Sequence, residues 1–223
     1  AEASNAGSHF APMPQQGKFA ATVYFSSSKR DTEEYDDKYK PNIQQNAPRI
    51  KLDSRFLQVS YGLWDNLAVD FLLGSMSGSE TKTKGGAYDD AFAMGFGVRS
   101  QLWNFEEQEI QLNASFQYIK SRDADSKSEA FNHTIQREDW QLALDATKTW
   151  KKVSFYTGLR YSDLTCPYTH PSSYGTREGG FKAKNNIGLF LGAIYEFLDD
   201  FTISAECQLI DVTGISIGLS YQF

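Results

Sequence analysis

No run of about 18 apolar residues occurs anywhere in the 223-residue chain, so an α-helical membrane span is excluded. Basic residues are too few for a nucleic-acid partner. Lys and Arg number 22 against 28 Asp and Glu, a formal charge of -6, and phosphate binding wants a basic face. Cysteine is scarce: Cys166 and Cys207 allow at most one internal bridge. Cys166 stands beside Pro167 in what reads as a loop, whereas Cys207 shares strand parity with Ile203 and Leu209 and points away from the interior. Opposed side-chain directions disfavour their pairing. Only three histidines are present, and none has a carboxylate close by in sequence at the spacing that general-base chemistry would use.

What the chain has in plenty is aromatic residues, 14% of the total with 16 Phe, 12 Tyr and 4 Trp, in a sequence of negative mean hydropathy. Strand alternation reconciles the two, because an apolar face occupying every second residue leaves the average polar. The alternation begins at Phe19, Ala21, Val23 and Phe25. It returns through Leu57 to Leu63, Leu67 to Leu73, Phe92 to Val98, Ile110 to Tyr118, Trp140 to Ala146, Val153 to Tyr161, Ile187 to Phe197, Phe201 to Leu209 and Ile215 to Phe223. That gives ten strands, the last hairpin closing through Asp211-Val212-Thr213-Gly214. Residues 1–17 carry no periodicity and read as an irregular leader, lying either outside the barrel or in its mouth; residues 18–223 form one barrel domain. Connections near Trp64, Trp103 and Trp150 are two to five residues long, while polar stretches such as Lys29 to Ala47, Ser77 to Tyr88, Arg122 to Asn132 and Asp163 to Gly180 read as long loops. Trp64, Trp103 and Trp150 therefore mark an interfacial belt at the short-turn end. A soluble sandwich or lipocalin-like barrel explains neither the loop asymmetry nor that belt.

The chain ends in Ser216, Gly218, Tyr221 and Phe223, spaced as polar, Gly, hydrophobic and terminal aromatic. This closing strand resembles that of bacterial outer-membrane β-barrels, in which the motif is read by the barrel-assembly machinery. The resemblance implies an all-β, transmembrane, antiparallel up-and-down barrel in the outer membrane of a Gram-negative cell, with both termini periplasmic. It implies as partners outer-membrane lipid and lipopolysaccharide, the assembly machinery during biogenesis, and a protein partner at the extracellular loops. Ala1-Glu2-Ala3 reads as the start of a mature exported chain.

With the apolar parity facing lipid, Asp70, Arg99, Asp145, Arg160, Glu196 and Glu206 face the lumen. The first four are expected to pair, Asp70 with Arg99 and Asp145 with Arg160, and with Tyr24, Phe56, Tyr156 and Phe190 to fill a ten-stranded bore. No cofactor, metal or catalytic residue is expected. The omptin proteases, also ten-stranded, keep an Asp two residues before a His, but here Phe131 precedes His133; the His-any-Ser pattern of lipid A deacylases fails at Ile135. Asp123 and Asp125 begin like a calcium loop, which Lys127 breaks. The expected function is non-enzymatic anchoring, scaffolding or surface binding through loops carrying Tyr35, Tyr39, Tyr168, Tyr174 and Phe181. The alternatives are a narrow porin-like channel and, below that, an omptin-like hydrolase.

Overall fold

The computed structural model describes residues 12–36, 49–80, 87–125, 134–172 and 175–223. These form strands β1 (Phe19–Asp36), β2 (Arg49–Trp64), β3 (Leu67–Glu80), β4 (Ala87–Phe105), β5 (Ile110–Ser121), β6 (Ala124–Asp125) and β7 (Thr134–Ile135). Then come β8 (Glu138–Trp150), β9 (Val153–Ser172), β10 (Gly175–Ala183), β11 (Ile187–Leu198), β12 (Phe201–Leu209) and β13 (Val212–Gln222). A 3₁₀ turn at Glu106–Gln108 is the one helical element among the described residues. Each long strand pairs antiparallel with the next, β9 pairs onward to β11, and β13 returns to β1, so the sheet closes on itself. Closure leaves the lower, ten-stranded part of the sheet without a free edge, which a backbone crossing lipid requires.

Ten strands surround the lower barrel, as the alternation predicts. Outward there stand Phe25, Leu57, Phe71, Phe96, Leu144, Leu159, Leu191, Ile203 and Ile217, all exposed. Their parity mates Thr22, Gln58, Ser60, Asn113, Ser115, Thr147, Ser204 and Ser220 are buried. A barrel that is apolar outside and polar inside is built to be surrounded by lipid.

Above this girdle the circumference changes. β10 and β11 run one after the other down the side of β9, interrupted at 184–186. On its other flank β10 pairs with the top of β1, Thr32 opposite Ala183 and Asp36 opposite Gly179, whereas β11 pairs with β12. The β12–β13 hairpin is thus a wedge inserted from below. Its strands, nine and eleven residues long, match the ~9–11 residues of a membrane crossing. The wedge ends at a two-residue turn, Ile210–Asp211, above which β10 closes directly on β1.

Several expected loops are therefore sheet. Asp163 to Gly180, read as an irregular stretch, is the upper half of β9 and most of β10. The last hairpin turns at Ile210–Asp211 and not across Asp211 to Gly214, and β1 and β2 extend through Asp36 and from Arg49 into what read as a polar loop. In this upper collar the inner face is the apolar one: Ile50, Leu52, Leu164, Cys166, Phe181 and Ala183 form a buried cluster. Lys29, Asp53, Arg55 and Lys182 face outward. Inward Leu164 and outward Leu159 differ by five positions along one strand, so the apolar parity flips between them.

The chain before β1 turns into the lower mouth. Gly17 N–H donates to the Gly62 carbonyl at 2.8 Å and Gly62 N–H to the Lys18 carbonyl at 3.1 Å. Met13 and Pro14 are buried there, and a side chain at Gly62 would strike the Pro14 and Gln15 backbone. Residues 12–15 occupy the mouth, one of the two places open to the leader from sequence.

Candidate functional site

The lumen holds the molecule's buried polar groups in layers. Lowest lies the Arg99 layer. Arg99, fully buried on β4, donates from Nε to Asp70 Oδ2 and from Nη2 to Asp70 Oδ1, both at 2.8 Å, and from Nη2 to Ser60 Oγ at 2.9 Å. The fork geometry of the guanidinium makes this bidentate pair, and Asp70 reaches it because β3 and β4 are neighbours.

Beside it, Asp145 on β8 accepts from Asn113 Nδ2 at 2.8 Å and from Thr147 Oγ1 at 3.1 Å. Asn113 is the residue directly opposite Asp145 on β5. Arg160 takes another carboxylate: its Nη2 donates to Asp211 Oδ1 at 3.0 Å and Oδ2 at 3.1 Å. The structure thus brings Arg160 to Asp211 where Asp145 was the expected partner. Ser162 Oγ also donates to Asp211, at 3.0 Å, and Arg30 Nη2 lies 3.7 Å from it. Arg30 further donates to the carbonyls of Ser162 and Asn185, at 2.8 and 3.0 Å. Asp211 sits at the fork where ten strands become eight, and the two arginines tie the tip of the wedge to β1 and β9.

Aromatic rings fill the mid-lumen. Tyr24 stacks on Phe56 at 5.4 Å within a cluster that includes Leu72, Met76, Ala93 and Ile119. Across the bore Tyr156 and Phe190, 6.2 Å apart, pack with Ala143 and Ile194. Glycines make the room: a Cβ at Gly192 would strike the Tyr156 ring and one at Gly158 the Phe190 ring. Tyr156 Oη donates to Glu206 Oε2 at 3.2 Å, and Gln208 Nε2 to Glu206 Oε1 at 2.9 Å.

Trp64, Trp103 and Trp150 are exposed at the ends of β2, β4 and β8, each beside a short connection. Trp140, the fourth, lies at the opposite end of β8, 5.3 Å from Tyr161. In the closing strand, Ser216 is buried facing the lumen, while Tyr221 and Phe223 face outward. Phe223 stacks with Phe19 at 6.0 Å and exchanges two backbone hydrogen bonds with it, at 2.9 and 3.1 Å.

The collar corrects the aromatic-loop expectation. Tyr168 and Phe181 turn inward, 5.3 Å apart, into the collar core; Tyr39 and Tyr174 lie outside the described residues, and only the backbone of Tyr35 is described. Cys166 is on a strand, buried in the same core, and burial pushes its thiol up to about 12. Cys207 is exposed on the outside, and both are free thiols. Asp123 accepts a hydrogen bond from Gln136, Asp125 stands exposed on β6, and residues 126–133, which hold Lys127 and His133, lie outside the described residues. Among the described residues no three His, Cys, Asp or Glu side chains gather as metal ligands would.

The Arg30–Asp211–Arg160 tie was missed because Asp211 read as a turn residue, and its partners lie far off in sequence. The Asn113–Asp145 pair carried a usable signal, since both residues occupy the inward parity of strands that read as neighbours.

No family model and no curated protein matches the sequence. Solved structures align along nearly its whole length. The outer membrane protein OprG from Pseudomonas aeruginosa is 13% identical, with 95% of this chain and 98% of that one covered and a TM-score of 0.49. The outer membrane protease OmpT from Escherichia coli is 11% identical, with 96% and 99% covered and a TM-score of 0.46. Ail, the attachment invasion locus protein of Yersinia pestis, in complex with a heparin analogue, is 13% identical, with 94% and 100% covered and a TM-score of 0.43. Independently of these likenesses, the strand pairing closes this chain into an antiparallel barrel, and its apolar outer face over a polar lumen makes that barrel a transmembrane one.

Proposed function

We propose that the chain is an integral protein of a bacterial outer membrane, its termini periplasmic, whose barrel is a closed anchor for a surface-binding collar. The carrying observation is the filled lumen. Stacked Tyr24 and Phe56 on one wall and Tyr156 and Phe190 on the other stand between the Arg99 layer and the collar core, which speaks against a water-filled path. A ten-stranded bore is only a little wider than the ~8-stranded barrels that side chains fill.

The collar supports the surface-binding half of the reading. Its outer face mixes Lys29, Asp31, Arg49, Lys51, Asp53 and Arg55, with Arg49 paired to Asp31 at 3.2 Å and Lys51 to Asp53 at 2.8 Å. A rigid sheet with a charged, two-signed face is suited to a protein partner. Lipid contact is supported at the upper rim of the girdle. There Arg122 lies over the Phe92 ring at 5.6 Å and Lys120, paired with Glu138, stands beside Tyr118, so cationic heads meet an apolar wall as lipid phosphates over acyl chains demand. The non-enzymatic half rests on Phe131 and Ile135, which replace the residues that the resembling hydrolases would need.

Conductance of the refolded protein in planar bilayers tests the closed anchor. Current should stay at the background of the bilayer alone. Steady single-channel steps from the unmodified protein would replace this reading with the narrow channel.

A further inference from the structure

Directly above Tyr24 and Phe56 the lumen keeps a cavity of about 70 Å³. Arg30, Arg137 and Arg160 line it together with Asp139. A buried site needs about 10–15 Å³ to seat a water, so the space accepts a handful of waters or one small tetrahedral ion. The arginines come from three different strand neighbourhoods, on β1, just before β8, and on β9.

Their bonding is incomplete in one consistent way. Arg30 spends Nη2 on the Ser162 and Asn185 carbonyls, Arg160 spends Nη2 on Asp211, and Arg137 donates from Nη2 to Asp139 Oδ2 at 2.6 Å and from Nη1 to Met76 Sδ at 3.7 Å. On all three the buried Nε has no hydrogen-bond partner, and the side chains of Arg30 and Arg160 are 2% and 6% exposed. Asp139 Oδ1, buried at the same cavity, also lacks a partner. Three guanidinium groups face two carboxylates, Asp139 and Asp211, leaving one positive charge over in a confined space. The other lumen carboxylates do not line the cavity: Asp70 is held by Arg99, Asp145 by Asn113 and Thr147, and Glu206 by Tyr156 and Gln208.

A group that fits must be small, negative, rich in acceptor oxygens for the arginine N–H donors, and able to donate one proton to Asp139 Oδ1. Chloride and sulfate meet the charge but have no proton to give. Monohydrogen or dihydrogen phosphate meets every condition. We infer that this cavity is a site for free inorganic phosphate, seated by Arg30, Arg137 and Arg160 with its P–OH donating to Asp139. The inference is independent of whether the barrel conducts, since it concerns equilibrium occupancy.

The test refolds the full chain in detergent with increasing inorganic phosphate, or with sulfate at matched ionic strength, and reads the midpoint of heat-modifiable unfolding. A ligand bound only by the folded state raises that midpoint saturably. Phosphate should do so and sulfate should not. Arg137→Gln should weaken the phosphate response by about tenfold, the worth of one charge-assisted hydrogen bond. Asp139→Asn removes the carboxylate charge that repels an unprotonated anion and supplies an amide N–H that can donate to it, so sulfate should now bind; this arm decides the matter if Arg137→Gln fails to fold. No saturable response to phosphate, equal responses to both anions in the unmodified protein, or unchanged selectivity in Asp139→Asn would each overturn the site, leaving a cavity that holds only water.

Discussion

The girdle and the collar are made from the same strands and obey opposite rules. Along β9, Phe155, Leu159 and Tyr161 point outward, and then Leu164 and Cys166 point inward. Along β2 the order is reversed in sequence but identical in space: Ile50 and Leu52 point in, Leu57 and Val59 out. Where lipid surrounds the barrel, apolar groups gain by facing it and the lumen takes the polar ones; where water surrounds it, the hydrophobic effect turns the same sheet the other way round. The fork at Asp211 lies near this change of solvent. Narrowing from ten strands to eight brings the collar walls close enough for side chains to meet across the bore, which is how a collar without lipid obtains a core.

The largest test of the comparison is the charge layer inside the girdle. Arg99→Ala strands the Asp70 carboxylate in a buried site and should cost about 3–5 kcal/mol, softened by any water that enters. Adding Asp70→Asn should recover part of that loss, as measured by urea unfolding in lipid vesicles; simple addition of the two effects would mean that the pair is not coupled. Next come two leucines on β9. Leu164 is fully buried and Leu159 is 61% exposed to the lipid side. Leu164→Ala should cost about 2–5 kcal/mol because a cavity remains, whereas lipid flows into the space left by Leu159→Ala and its cost should be clearly smaller. Equal losses would erase the distinction between collar core and lipid face. Third, Leu191→Arg should cost about 2–4 kcal/mol near the bilayer midplane, while Lys29→Glu on the collar should stay within about 0.5 kcal/mol.

The same inversion explains what could be read from the sequence. Girdle strands keep one parity until the bulges near their lower ends, at Gly62/Trp64, Gln101/Trp103 and Glu196/Leu198, so Phe19 to Phe25 or Ile187 to Tyr195 announce themselves. In the collar the period of two persists but its phase slips, and the windows around Asp163 and Ile50 average to an irregular, polar stretch. Charges followed the same divide. Asp70 and Arg99 share the inward parity of adjacent strands and were legible as neighbours. Arg30 lay in a segment that seemed too hydrophilic to be a wall, and Asp211 lay in a turn, so nothing local linked them. The pairing of β13 with β1, which sets Arg30 opposite Val212, brings them together.

The smallest expected effect concerns the fork turn itself. Ile210 has φ of +80°, a conformation that β-branched residues rarely adopt, and its side chain is exposed. Holding it there costs about 1–3 kcal/mol, and glycine would adopt the same φ freely at the expense of about 0.5–1 kcal/mol of added chain entropy. Ile210→Gly should therefore raise stability by roughly 1 kcal/mol in the same unfolding assay. The neighbouring position should behave oppositely. Asp211→Asn keeps the shape of the turn but removes the charge that Arg30 and Arg160 share, so it should destabilise even though it lies in a two-residue turn. If the strain at Ile210 is held in place by the Asp211 tie, the double variant should show less benefit from glycine than the single one does. A full, additive gain in the double variant would mean that the turn and the tie are independent, and that the fork closes without the arginines.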